Sequence, residues 1–330
     1  MEANDVERTN VTSSLKAARG ILLTLMSSIS ISFCAEFMAN KDGIPSFQIL
    51  FLMRLTELLA LVPILAFCRP RLTGKNRREN IMLFIFVIVS NAANILHFLS
   101  FTYTVPGISF GIIQGSMPFF VACIGFLVLK ESLGIPDVCA ILISVTGVVL
   151  LSVGMTQVGT SSTKLLVLSI VIPVLASLVF APDMVIMRYL TGTLGVPIVT
   201  ALLYQTLFGT AVLLAITYSV ETPVWTMATR TALYVVGVGV SKFVANFTIL
   251  SALKVVKAYI STSVRMFAIP FSLLLDYLLM QKVPNSLQAA GVVLVMLGIV
   301  LISVYTWWSH RRVDLQRTLL KELQFDTNEK

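Results

Sequence analysis

Charge is scarce in this sequence: 12% of its 330 residues are Asp, Glu, Lys or Arg, about half the share found in soluble domains. Histidine is scarcer still, with His97 and His310 alone. No HExxH or Cys/His cluster can be assembled around either one, which excludes zinc hydrolases and structural zinc sites. The chain is therefore read as no enzyme, with no cofactor and no metal. The cysteines Cys34, Cys68, Cys123 and Cys139 are scattered without a CxxC pair, and buried free cysteine packs as a small apolar residue. The opening residues carry Glu2, Asp5 and Glu7, which does not suit a cleaved signal peptide. Two glycosylation sequons, at Asn10 and Asn246, fall on a tail expected to face the cytoplasm and inside an apolar run, so neither is expected to be used.

Apolar sequence is what the chain has in abundance, at 57%. A helix needs about 20 residues to cross the hydrocarbon core of a bilayer. Ten runs qualify: 20–38, 47–67, 81–101, 107–129, 137–155, 165–190, 197–219, 231–252, 256–280 and 286–308. They leave no room for a soluble catalytic domain. The expected fold is an all-α membrane protein of ten transmembrane helices. The net charge of +8 follows the loops: 17 Lys and Arg fall on the N-terminus, the C-terminus and the even-numbered loops with Arg188 and Lys257 at the span ends beside them. The other side has Lys41, Lys164, Arg230 and Lys282. Basic short loops stay in the cytoplasm, so both termini are expected inside, and the basic excess reports orientation rather than nucleic-acid binding. The partners implied are the lipid bilayer and a small-molecule substrate, with a homodimer left open. Trp307-Trp308 closes the last span as an interfacial anchor, and Leu315, Leu319, Leu320 and Leu323 give the tail an amphipathic helical pattern.

The chain repeats itself. Gly147-Val148-Val149-Leu150-Leu151-Ser152-Val153 matches Gly298-Ile299-Val300-Leu301-Ile302-Ser303-Val304 at an offset of 151. At 152, Gly43-Ile44-Pro45 meets Gly195-Val196-Pro197, and Pro118 meets Pro270. Three matches in order at nearly one offset indicate a duplication. The halves run from 19 to 156 and from 164 to 308, between a cytoplasmic tail of residues 1–18 and another of 309–330. Five spans per half force the halves into opposite orientations, the inverted-repeat plan of secondary transporters. Pro118 and Pro270 then mark a matched pair of interrupted helices, and Pro173 with Pro182 is expected to kink the sixth span twice. Gly107, Gly111 and Gly115 form a GxxxGxxxG face suited to close helix packing.

Charged side chains at membrane depth each cost ~2.5–3.5 kcal/mol or more on insertion scales, so each needs a partner, water or a function. Glu36, Arg54, Glu57, Asp183, Lys242, Arg265 and Asp276 are such residues. Arg54 and Glu57, three apart, share a helical face and can pair. Lys242 and Arg265 have no acid within four positions, and Asp276 is eleven residues from Arg265, about 16 Å along a helix. Two such cations suit an organic anion, Arg offering a planar fork to carboxylate or phosphate and Lys a movable point charge. Tyr259, Thr262, Gln114 and Tyr204 are candidate neutral partners on the solute. Asn91, Asn94 and His97 form a polar stripe that either bonds neighbouring helices or lines a pathway.

These features resemble the drug/metabolite transporter superfamily in its two-repeat EamA form. The carrying residues are Pro118-Phe119, Leu129-Lys130-Glu131 and the Gly147 and Gly298 strings. The chain is further similar to the subgroup-G branch of solute carrier family 35. Phe51 with Arg54 matches its second-span pattern, Asp137 its Asp after Leu-Lys-Glu, and Arg265 after Thr262 and Ser263 its ninth span. Ala268 stands where that branch has Asp, and Met280-Gln281-Lys282 replaces the second Leu-Lys-Glu. The resemblance implies a carrier that moves solutes by alternating access. Its relatives move nucleotide sugars, phosphorylated sugars, organic anions, amino acids or drugs. Two rivals remain: a proton-coupled exporter of cations working through Glu36 or Glu57, and a non-transporting membrane interaction protein using the glycine face.

Overall fold

The computed structural model describes residues 2–39, 43–103, 106–129, 134–156, 163–280, 285–287, 289–305 and 308. Among the described residues every regular element is helical. In chain order these are α1 (Glu2–Ala39), α2 (Ser46–Cys68), α3 (Arg77–Tyr103) and α4 (Pro106–Ile124), which runs on into a π-turn at Gly125–Leu129. Then come α5 (Ile135–Thr156), α6 (Thr163–Arg188) with a π-turn at Tyr189–Thr193, α7 (Ile198–Val220) and α8 (Thr229–Leu253). The last described helices are α9 (Ala258–Arg265), α10 (Ala268–Met280) and α11 (Ala289–Tyr305). Seven stretches, α9 and α10 counting as one, are long and apolar enough to cross a bilayer. Three more, Ile112–Val128, Ile135–Leu150 and Ala289–Tyr305, are shorter apolar helices. The ten fall where the ten apolar runs fall.

The polar opening residues, expected as a tail, continue α1 as helix. No glycine or proline interrupts residues 2–19, so a helix nucleated in the apolar part propagates backwards. Two proline expectations also change. α4 passes through Pro118 without a break and distorts only at the π-turn that follows, while α6 holds both Pro173 and Pro182 inside one continuous helix. A proline forfeits one backbone bond, about 3 kcal/mol, and packing on both sides can absorb that loss. Pro270 does interrupt. With no N–H there to reach the Met266 carbonyl, Ile269 donates to it instead at 2.9 Å, and the helix breaks between α9 and α10. That turn frees the Arg265 carbonyl, which Ser28 of α1 reaches at 3.3 Å, while Ser32 reaches the Ala268 carbonyl at 2.9 Å. The serine-rich first span therefore holds the broken helix in place.

The duplication is visible in the packing. α1 lies against α8, and α6, the counterpart of α1, lies against α3, the counterpart of α8. Gly43 and Gly195 both take positive φ, +77° and +68°, ahead of Pro45 and Pro197, which cap α2 and α7. An added Cβ would meet nothing within 4 Å at either glycine, so backbone conformation rather than crowding selects the residue. Near the start of α2, the Gln48 amide donates to the Val224 carbonyl at 2.7 Å and accepts from its N–H at 2.9 Å, beyond the end of α7. Near the start of α7, the Thr200 hydroxyl donates to the Arg71 carbonyl at 2.6 Å, beyond the end of α2. Starts meet ends, so α2 and its counterpart run antiparallel. The crossing of α5 and α11 is reciprocal as well. A Cβ on Gly147 would lie 2.7 Å from the Gly291 carbonyl, and one on Gly298 would lie 2.8 Å from that of Ala140. These contacts exchange under the same offset of 151, as a two-fold relation requires.

Candidate functional site

The polar residues of the spans converge on one layer between the halves. α2 turns Arg54 and Glu57 onto its buried face, each 1% exposed, and they pair at 2.6 Å. Asn246 of α8 donates to the other Glu57 oxygen at 2.8 Å, so both carboxylate oxygens are engaged. Gly209 of α7 leaves room for this pair, since a Cβ there would come within 3.3 Å of Arg54 Nε. On α3, the Asn91 amide donates to the Val87 carbonyl at 2.8 Å and to the Gln205 carbonyl of α7 at 3.2 Å. The Gln205 side chain donates to the Ser90 hydroxyl, and Asp183 on α6 lies within reach of the same hydroxyl.

Lys242 on α8 and Arg265 at the end of α9 enter this layer buried, 7% and 4% exposed. The described ion pairs are Arg54–Glu57 and Arg71–Glu79, so no described carboxylate oxygen comes within 4.0 Å of either cation. Arg265 Nε has no hydrogen-bond partner. The two cations lie within electrostatic reach of each other, of Cys34 on α1, and of His97 on α3. Glu57 and Arg54 also act on Lys242, and Asp183 on Arg265.

The neutral candidates divide. Gln114 on α4 and Asn94 on α3 are buried, and the acceptor oxygen of each has no partner. The Asn94 amide donates to the Ser90 carbonyl at 2.6 Å. Thr262 donates its hydroxyl to the Ala258 and Tyr259 carbonyls of its own helix. The Tyr259 hydroxyl donates to Asp137 of α5 at 2.9 Å, and Lys257 stacks over the Tyr259 ring at 5.6 Å. Tyr204 packs against the apolar core. Thr262, Tyr259 and Tyr204 therefore serve packing and helix joining here, because short polar side chains satisfy the nearest backbone or carboxylate acceptor first. Glu36 is buried at the far end of α1. Asp276 sits on α10 with its side chain outside the described ones, as are Lys130 and Glu131. Pro118 is buried beside Gln114, and Pro270 follows the break next to Arg265. Asp183, Ser90, Gln205 and Cys34 join the layer without having been singled out as site residues. Only Asp183 carried a signal, a charge directly after a proline in an apolar run.

A cavity of about 440 Å³ lies elsewhere, lined by Pro136, Cys139, Leu301, Val304, Tyr305 and Trp308 on the faces of α5 and α11. Gly115, the described member of the glycine face, is filled by Val148 of α5, with 2.6 Å from an added Cβ to Val148 Cγ2.

Two helical halves closing over a buried, charged and partly unpaired polar layer form the architecture of a membrane carrier. The profile of the EamA-like transporter family matches residues 18–153 and 167–304, one match in each half. The chain belongs to the EamA-like transporter family and is a multi-pass membrane transporter. No curated protein matches it. Among solved structures, one crystal structure of a protein superposes with a TM-score of 0.74 at 16% identity, covering 87% of this chain and 98% of that one, a likeness of fold alone.

Proposed function

We propose that this transporter carries a small organic anion across the membrane by alternating access, with Lys242 and Arg265 as its counter-charges. The observation that carries the reading is that both cations are buried with no described carboxylate within 4.0 Å. The buried cations Arg54, Lys242 and Arg265 outnumber the buried acids Glu57 and Asp183 around them, and an excess cation in a buried layer is unfavourable until a further negative group joins it. Gln114 and Asn94 offer unpartnered acceptor oxygens to a hydroxyl or amino group on the same solute. All four side chains are buried, so a solute reaches them only when the halves part at one end of the bundle.

The ten-span, inverted arrangement with both termini in the cytoplasm belongs to this reading. The antiparallel pairing of α2 with α7 and the basic loop Arg69–Arg78 support it. On that topology the Gln48–Val224 contact closes the outer end and the Thr200–Arg71 contact the inner one. The finer resemblance to subgroup G of solute carrier family 35 rests on Phe51, Arg54, Asp137 and Arg265, all of them buried. At Glu57 the cation-exporter alternative is less well supported, since Arg54 and Asn246 occupy both oxygens of that carboxylate. The glycine-face interaction alternative loses Gly115 to Val148.

Purified protein screened by thermal shift is expected to respond to organic anions and not to organic cations. In proteoliposomes Arg265→Ala is expected to abolish uptake of the responding anion with expression and folding intact. Undiminished transport by that variant overturns the assignment.

A further inference from the structure

The crossing of α5 and α11 leaves a wedge that is no part of the polar layer. The two helices meet closely where Gly147 faces the Gly291 carbonyl and where Gly298 faces Ser144 and the Ala140 carbonyl. Beyond Ala140 and Gly298 larger side chains follow, and between them lies the cavity of about 440 Å³ lined by Pro136, Cys139, Leu301, Val304, Tyr305 and Trp308. That volume falls in the range of small-molecule sites, about 300–1,000 Å³. The lining is apolar but for the Cys139 thiol and the Tyr305 hydroxyl, and an added Cβ on Gly134 would lie 2.8 Å from that hydroxyl. Val138, Leu142, Val300 and Val304 are exposed on the same two helices, so the wedge opens on the surface that meets lipid.

Its direction says what fits. Trp308 closes the last span at the level of the headgroups, where amphipathic rings belong. Leu301 stands seven residues earlier on α11, about 10 Å deeper along the helix axis. The slot therefore descends into the hydrocarbon. The tail is a poor occupant, because its leucine pattern from Leu315 to Leu323 is interleaved with Arg317, Lys321 and Glu322, and such a segment lies in the plane of the interface. An acyl chain runs along the slot.

Charge decides which lipid. Directly after Trp308 come Ser309-His310-Arg311-Arg312, and residues 309–317 hold three arginines against one aspartate, a net of +2 with His neutral. A chain advances at most about 3.6 Å per residue, which keeps the Arg311 Cα within about 11 Å of that of Trp308. Asp137, beside Pro136, is turned inward: it is 3% exposed and accepts from the Gly134 N–H and the Tyr259 hydroxyl, both at 2.9 Å. Lys130 and Glu131 in the loop before it are formally balanced. We propose that the wedge between α5 and α11 binds one anionic phospholipid, with an acyl chain against Leu301 and Val304 and the phosphate held by Arg311 and Arg312. The site stands apart from the anion reading, since it needs only the membrane-spanning fold.

The test uses the full chain in nanodiscs of phosphatidylcholine, with phosphatidylglycerol at low mole fraction as the probe. The tryptophans of the chain are Trp225, Trp307 and Trp308. With Trp225→Phe and Trp307→Phe, Trp308 reports alone, and a brominated acyl chain quenches it only on close approach. Each arginine contributes about fivefold toward an anionic lipid, so brominated phosphatidylglycerol is expected to quench Trp308 at a mole fraction about tenfold or more below that needed with brominated phosphatidylcholine. A protein keeping only Trp225, between α7 and α8, is expected to show no such preference. Arg311→Gln with Arg312→Gln is expected to erase it, and so is Val304→Phe, which fills the wedge and leaves both arginines. Should the sole-tryptophan protein fail to fold, wild-type Cys139 gives the same reading. Phosphatidylglycerol and not phosphatidylcholine should slow its alkylation, with the exposed Cys68 as internal control. Equal quenching by the two lipids means bulk bilayer lipid only and overturns the proposal, as does a preference that survives either variant. Trp308 shielded from both lipids in a protein that migrates as a dimer assigns the wedge to a second copy, and overturns it as well.

Discussion

Arg54 and Glu57 form the one described ion pair inside the layer, and their energetics are lopsided. Removing one partner leaves an uncompensated buried charge, a loss of about 3–5 kcal/mol, whereas replacing both by apolar residues of similar volume is often close to neutral. Arg54→Met is therefore expected to lower the melting temperature of the purified protein far more than Arg54→Met combined with Glu57→Met. Equal losses in a thermal melt would mean that the pair does not act as a unit. The pair was legible in the sequence because a spacing of three on a helix is itself a geometry. That Glu57 comes within electrostatic reach of Lys242 was not, because the two lie on different helices 185 residues apart in the chain. The same limit explains Thr262 and Tyr259. Their residue types suit ligand binding, and only the placement of Ala258 and Asp137 shows that they already bond within the protein.

At the scale of elements, the break between α9 and α10 depends on α1. Ser28 and Ser32 meet the carbonyls of Arg265 and Ala268, and interhelical bonds of this kind average about 0.6 kcal/mol in membranes. Ser28→Ala with Ser32→Ala is expected to cost about 1–2 kcal/mol and to speed amide exchange at Met266–Phe271, while α2 stays protected. Ser27→Ala is the control, since Ser27 bonds Ala245 within the unbroken α8 at 2.8 Å. Exchange unchanged at Met266–Phe271 in the double variant would detach α1 from the break. Proline alone announced an interruption in both halves, yet only Pro270 makes one. Gln114, four residues before Pro118, loses its backbone partner inside a helix packed on α5 and α6, and the ladder resumes. Nothing in the sequence separates these outcomes, because what differs is the packing around each proline.

For the whole molecule, the two end contacts make a mechanical prediction. A carrier that works by alternating access must release the Gln48–Val224 contact at one end and the Thr200–Arg71 contact at the other in turn. Cross-linking cysteines placed at 48 and 224, or at 71 and 200, is therefore expected to stop uptake in either case, with recovery on reduction. Full transport through either cross-linked form would rule out parting at that end. The sequence by itself determined the helical class, the ten apolar runs, the duplication and the buried charges Glu36, Arg54, Glu57, Asp183, Lys242 and Arg265. Each of these follows from local composition or from comparing the chain with itself, and needs no neighbour to be known. Tertiary structure alone decided which of those charges are paired, which prolines break a helix and which hydroxyls already bond within the protein. Those outcomes depend on distances of a few ångströms between helices far apart in the chain, and an electrostatic or hydrogen-bonding contact exists only once both sides of it have been placed.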